Sequence, residues 1–195
     1  MSPFRARRIV GALVLTAAGL SGAALAATPA SAATGVQVFA NPANGLVRVI
    51  AGSEANGLDI SSVGSTVTVS ASAGPTPKAG NGCVQLGGAV RCTGAGLISV
   101  SLGAGDDAVR YSGDLQTTME GQGGNDRLSG GSGRDTLNGD NRFRVPGSTP
   151  VGGNDNLFGG GGDDRLFGGV GTDTAAGDGG TDSCDAESES SCEVE

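Results

Sequence analysis

The sequence contains no histidine and no tryptophan, and only one tyrosine, five phenylalanines and four cysteines among 195 residues. Without histidine there can be no Ser-His-Asp triad and no H-E-x-x-H zinc helix. A zinc site would also lack its usual nitrogen ligands, and the cysteines form no C-x-x-C pair. So few aromatic side chains exclude a large conventional core. Basic residues are scarce too: 12 Lys and Arg stand against 20 Asp and Glu, for a net charge of −8. That balance excludes the clustered positive charge that nucleic acid requires and suits cations instead. No G-K-[ST] follows any Gly-rich stretch, so there is no phosphate loop. No catalytic constellation is left, and the chain reads as a non-enzyme.

The one long apolar stretch lies at the start. Arg5, Arg7 and Arg8 precede an Ala- and Gly-rich run from Ile9 to Ala27, and Ala30-Ser31-Ala32 is an A-x-A cleavage pattern. Residues 1–32 therefore read as a secretory signal peptide, which predicts a secreted, extracellular protein starting at Ala33 with no membrane span of its own. No acidic residue falls in the leader, so its removal makes the chain more acidic still. Export also favours disulfides. Cys83, Cys92, Cys184 and Cys192 allow three pairings; proximity in sequence favours Cys83 with Cys92 and Cys184 with Cys192.

What the chain has in plenty is glycine, 38 residues of it, arranged with a period of nine. From Gly121 the sequence runs GQGGNDRLS, GGSGRDTLN, a third copy opened by Gly139-Asp140 and resumed as GGNDNLF, then GGGGDDRLF, GGVGTDTAA and GDGGTDSCD. The fourth place is always Gly, the sixth always Asp, and the eighth small or apolar (Leu128, Leu137, Leu157, Leu166, Ala175, Cys184). A short fixed period marks a repeat architecture. The Gly-rich places suit a tight turn with positive-φ residues. The last three suit a very short strand with one inward side chain. Such a strand can bury its apolar residue only by stacking on copies of itself.

Stacking aligns the sixth-place carboxylates in columns about 4.8 Å apart, where they repel each other. Arg127, Arg134 and Arg165 do not recur at one place in the unit and cannot neutralise a regular column. A hard cation with oxygen ligands can. Calcium takes six to eight oxygens in forgiving geometry, whereas magnesium demands strict octahedral coordination.

The pattern resembles the GGxGxDxUx nonapeptide of the RTX, or haemolysin-type, calcium-binding repeats. The resemblance implies an all-β fold, a parallel β-roll or β-solenoid with several Ca2+ ions held in its turns. It implies carboxylate ligands at Asp126, Asp135, Asp155, Asp164, Asp173 and Asp182. Turn carbonyls at Gly121, Gly123, Gly130, Ser132, Gly159, Gly161, Gly168 and Val170 complete the implied sites. Gln122 and Asp178 depart from the second Gly, and the third copy carries an insertion at about residues 141–151.

Before the repeat, residues 33–102 read as short strands: Val36–Phe39, Leu46–Ile50, Leu58–Ile60 and Val67–Val69, separated by Asn-Gly and Gly-Ser turn signals. Their spacing fits solenoid rungs or a small β-sandwich. Gly103–Val109 is a lone extra copy, with Asp107 in the ligand place, and favours rungs continuous with a roll over residues 103–185. Residues 186–195 are acidic and would cap the last rung, drawn over it by a Cys184–Cys192 link. Together these features predict a secreted calcium-binding protein that folds on meeting external Ca2+, with a structural or surface role. The alternative is an adhesive protein recognising a cell surface or glycan through Arg142, Phe143 and Arg144 of the insertion, since loops on rigid scaffolds often carry binding function.

Overall fold

In a computed structural model, residues 35–140 and 152–193 are described. The leader and the insertion, with Arg142, Phe143 and Arg144, lie outside them. Among the described residues there are strands but no helix. The first seven are β1 (Gln37–Asn41), β2 (Leu46–Ile50), β3 (Gly57–Val63), β4 (Thr66–Ala73), β5 (Lys78–Ala79), β6 (Cys83–Leu86) and β7 (Ala89–Thr93). Then follow β8 (Leu97–Ala104), β9 (Ala108–Ser112), β10 (Gln116–Gly123), β11 (Arg127–Ser129) and β12 (Thr136–Asp140). The last are β13 (Asn156–Gly161), β14 (Arg165–Phe167), β15 (Thr174–Gly179), β16 (Ser183–Asp185) and β17 (Ser188–Ser190).

They form two mixed sheets. One runs β16-β14-β12-β10-β8-β2-β1-β5 and the other β17-β15-β13-β11-β9-β3-β4-β7-β6. From β8 onward successive strands alternate between the sheets, and every pairing among them is parallel. One nonapeptide therefore lands on one sheet and the next on the other. Stacked neighbours are two copies apart: 18 or 19 residues, or 29 across the insertion.

The amino-terminal strands depart from the expected run of rungs. Only β2 and β3 join the parallel stack, against β8 and β9. Most of the others fold back: β1 pairs with β2, β4 with β3, and β7 with both β4 and β6, all antiparallel, while β5 lies parallel to β1 at the sheet edge. Turn chemistry explains this. Gly64-Ser65 and Gly87-Gly88 leave two residues between strands, and Gly45, Gly64 and Gly87 take φ of +67°, +55° and +56°. A two-residue connection can only reverse the chain into a hairpin, whereas parallel neighbours need a longer crossover.

The core is a set of side-chain rows. In the first sheet Val38, Val49, Val100, Met119, Leu137, Leu166 and Cys184 stack in register. In the second the row is Leu58, Val109, Leu128, Leu157 and Ala175. All are buried, each Leu contributing about 1.5–3 kcal/mol. Both disulfides join the pairs favoured by proximity: Cys83–Cys92 across β6 and β7, and Cys184–Cys192 between β16 and the tail.

Candidate metal centre

The sixth-place Asp stands immediately before each short strand of the repeat, where the Gly-rich turn ends. Asp107, Asp126, Asp155 and Asp173 precede β9, β11, β13 and β15 on one sheet; Asp135, Asp164 and Asp182 precede β12, β14 and β16 on the other. Each is no more than 2% exposed. Parallel stacking brings them together in two ladders.

In the first ladder, each carboxylate uses Oδ1 to accept the backbone N–H of the Asp one turn earlier. Asp126 accepts from Asp107 (2.9 Å), Asp155 from Asp126 (2.7 Å) and Asp173 from Asp155 (2.8 Å). The second ladder repeats the arrangement, with Asp164 accepting from Asp135 (2.7 Å) and Asp182 from Asp164 (2.8 Å). Charge-assisted bonds of this kind are among the stronger ones, and they offset part of the repulsion along the column.

The ladder ends are residues that the nine-residue pattern does not reveal. At the start stand neutral donors. Asn56 gives its backbone N–H (2.6 Å) and its Nδ2 (3.0 Å) to Asp107. Thr117 gives its N–H and its hydroxyl to Asp135, both at 2.8 Å. At the finish stand two glutamates of the tail: Glu187 accepts the Asp173 N–H and Glu193 the Asp182 N–H, each at 2.8 Å. An exposed fifth-place ladder runs alongside, in which Asn125 bonds Asp106, Asn154 bonds Asn125 and Thr172 bonds Asn154.

Only half of each carboxylate is satisfied in this way. The Oδ2 atoms of Asp107, Asp126, Asp155, Asp164, Asp173 and Asp182 are buried and accept no hydrogen bond; Asp135 Oδ2 accepts one, from the Gly131 N–H at 2.8 Å. Beside the orphaned oxygens of Asp126, Asp155, Asp164, Asp173 and Asp182 is the first-place Gly of the same repeat; Asp107 has Leu102 at that place. A Cβ added at Gly121, Gly139, Gly159 or Gly177 would strike the Oδ2 of Asp126, Asp155, Asp164 or Asp182. The same Cβ would strike a carbonyl, that of Gly139, Gly168, Gly177 or Ser191 respectively. At Gly130 it would meet Asp135 and the Gly159 carbonyl. At these five aspartates the rule is consistent: the facing carbonyl belongs to the first place of the copy two further on, with Ser191 of the tail completing the last.

Of the eight carbonyl positions inferred from the resemblance, Gly159 and Gly168 fit this rule, and the Val170 carbonyl lies beside Asp140. Gly121 and Gly130 are placed by their α-carbons, against Asp126 and Asp135. The Gly123 and Gly168 carbonyls each accept one backbone N–H, from Gly105 (2.8 Å) and Asp140 (3.1 Å), and keep a second lone pair. Gly161 donates its N–H to Gly131 and Ser132 its N–H to Gly113. The Gly139, Gly177 and Ser191 carbonyls were not anticipated, and the two-copy stacking distance is the signal that finds them.

Burial outweighs the backbone hydrogen bonds in its effect on acidity. It pushes Asp126 and Asp164 up to about 7 and Asp155 to about 6, with neighbouring carboxylates adding to the rise. Asp107, Asp135, Asp140 and Asp173 are raised too, again chiefly by burial. Among the described residues no three carboxylate, thiolate or imidazole groups converge on one point, and the one ion pair, Arg134–Asp163 at 3.1 Å, is exposed. At Asp126, Asp135, Asp155, Asp164 and Asp182 a carboxylate oxygen thus meets a backbone carbonyl, an all-oxygen donor set. This donor set fits a hard cation and does not fit zinc.

Residues 111–141 and 151–184 match the family model of the RTX calcium-binding nonapeptide repeat, in four copies. No curated protein and no solved structure shows significant similarity to the chain.

Proposed function

We propose that this chain, which carries RTX calcium-binding nonapeptide repeats over a third of its length, is a secreted protein whose repeats wind into a parallel β-roll when external calcium binds. Its role is structural, at or outside the cell surface, and it performs no catalysis. The observation that carries the reading is the double column of buried Oδ2 atoms with no hydrogen-bond partner. A buried polar atom is costly when unpaired, and six of them recurring at one sequence place call for a common partner.

Asp107, Asp126, Asp135, Asp155, Asp164, Asp173 and Asp182 would hold the ions through Oδ2, with the first-place carbonyls two copies on. Bound calcium supplies the positive charge between carboxylates that would otherwise repel. The chain's own contribution is geometric. Oδ1 is tied to the neighbouring backbone, so Oδ2 stays aimed at the turn, and first-place Gly leaves the room. Sites of extracellular type bind at roughly 0.1–1 mM, so export itself would trigger folding. Circular dichroism of the chain titrated with calcium and then chelator tests this. The β signal should rise with calcium and fall with chelator; an unchanged spectrum ends the claim of metal-driven folding.

A further inference from the structure

The second place of the repeat is occupied by a carboxylate twice, at Asp140 and Asp178, and the two have opposite fates. Asp178 is exposed and takes φ of +68°. Asp140 ends β12, is only 4% exposed, and is absent from the positive-φ residues. Its Oδ2 accepts the Val170 N–H at 2.5 Å, and the Gly153 N–H also bonds it. Its Oδ1 is buried with no donor.

The surroundings are oxygen-rich. A Cβ at Gly152 would run into Asp140 Oδ2 and the Val170 carbonyl, while one at Gly139 would run into Asp155 Oδ2 and the Gly168 carbonyl. Gly139 and Asp140 are adjacent in the chain, so the two oxygen pairs flank one stretch of backbone. The Asp140 charge is felt at Asp126 and Asp155, and the Asp173 charge at Asp140. No basic side chain pairs with it among the described residues. Asp155 brings an orphaned Oδ2 beside the Gly168 carbonyl, and Asp140 an orphaned Oδ1 with its Oδ2 by the Val170 carbonyl, a donor set richer than the single carboxylate of the other turns.

Resting on the calcium reading above, we propose that Asp140 and Asp155, with the Gly168 and Val170 carbonyls, make a two-carboxylate calcium site where β12 ends. Affinity at oxygen sites rises with the number of charged ligands, so this site fills first as calcium rises. Asp178 has no such part, because its left-handed backbone turns it out to solvent.

The test is calorimetric titration of the full chain with calcium chloride, comparing the native protein with Asp140→Asn and Asp178→Asn. The two variants change charge equally at the same repeat place. The native chain should show one ion bound on the order of tenfold more tightly than the rest. Asp140→Asn should abolish that phase, and Asp178→Asn should keep it. Far-UV circular dichroism at saturating calcium checks that the variants fold. If Asp140→Asn does not, Asp140→Gly, which restores the residue usual at that place, is read in the same way. A native chain that binds several ions, with Asp140→Asn giving the same isotherm, overturns the proposal and leaves the calcium reading standing: Asp140 would then only brace the Val170 and Gly153 N–H groups. A native chain that binds no calcium overturns both.

Discussion

The strands before residue 103 and the repeats after it share two sheets, yet they are held together differently. In the first region the interior is filled by Val36, Val38, Val47, Val49, Leu58, Ile60, Val67, Val69, Val90, Ile98, Val100 and Leu102, all nearly inaccessible. Hairpins and the Cys83–Cys92 link close it. In the second, each nonapeptide contributes one apolar side chain and one buried carboxylate. Among the described residues, of the buried side-chain oxygens left without a partner, Asn56 alone lies in the first region and eight others lie in the second. The contrast teaches that one stacked architecture can rest on two supports: apolar burial, which needs no cofactor, and carboxylate columns, which are incomplete without positive charge.

The largest expected effect separates the regions outright. With chelator in excess, backbone amides of β11 to β17 should exchange on the order of a hundredfold faster or more, while those of β1, β2, β4 and β7 keep their protection. Equal loss in both regions, measured by hydrogen exchange, would dissolve the distinction.

Next in size is a pair of substitutions. Leu102→Ala removes a fully buried side chain and should cost about 2–5 kcal/mol whether or not calcium is present. Asp155→Ala strips the Asp126 N–H of its acceptor, worth about 1–3 kcal/mol on its own, and removes a proposed ion ligand as well. Its cost should be largest in calcium and should shrink in chelator, where losing a buried charge gives relief. Denaturant melts of both variants in both conditions check this.

These outcomes bear on what was readable in the residues themselves. The sixth-place Asp and eighth-place Leu were legible because stacking repeats them at a fixed period, and both disulfides because their partners are close in sequence. The carbonyls were only half legible: the period is nine, but stacked neighbours are two copies apart, so the facing oxygen belongs to a different copy. The ladder ends were not legible. Asn56, Thr117, Glu187 and Glu193 satisfy the same hydrogen bonds as an Asp without lying in the pattern. The amino-terminal strands misled because apolar runs at rung-like spacing look alike in hairpins and in coils, and only the two-residue turns at Gly64 and Gly87 distinguish them. Asp140 and Asp178 look equivalent in sequence, and backbone conformation alone separates them.

A smaller effect concerns pH. Asp126 and Asp164 titrate near 7 and Asp155 near 6 in the folded, metal-free chain, against 3.8 as ordinary carboxyls. Because the folded form holds protons that the unfolded form has released, this contribution is complete below about 3.8 and is lost as pH rises through 6 and 7. Calcium-free repeats should therefore be more stable near pH 4.5 than near pH 8, while the stabilisation added by calcium should be large near pH 8 and small near pH 4.5, since ion and proton compete for Oδ2. Thermal melts with and without calcium across that range read both trends. The smallest effect belongs to the exposed Arg134–Asp163 pair: Arg134→Ala should change stability by about 1 kcal/mol at most, and a larger loss would mean that surface charge supports the repeats after all.

The most direct measurement is the anomalous scattering of calcium in crystals grown with the ion in excess. The account predicts peaks in both columns, within about 2.3–2.6 Å of the Oδ2 atoms of Asp126, Asp135, Asp155, Asp164 and Asp182 and of the carbonyls facing them. Well-ordered turns with no peak beside those carboxylates, in crystals saturated with calcium, would contradict it.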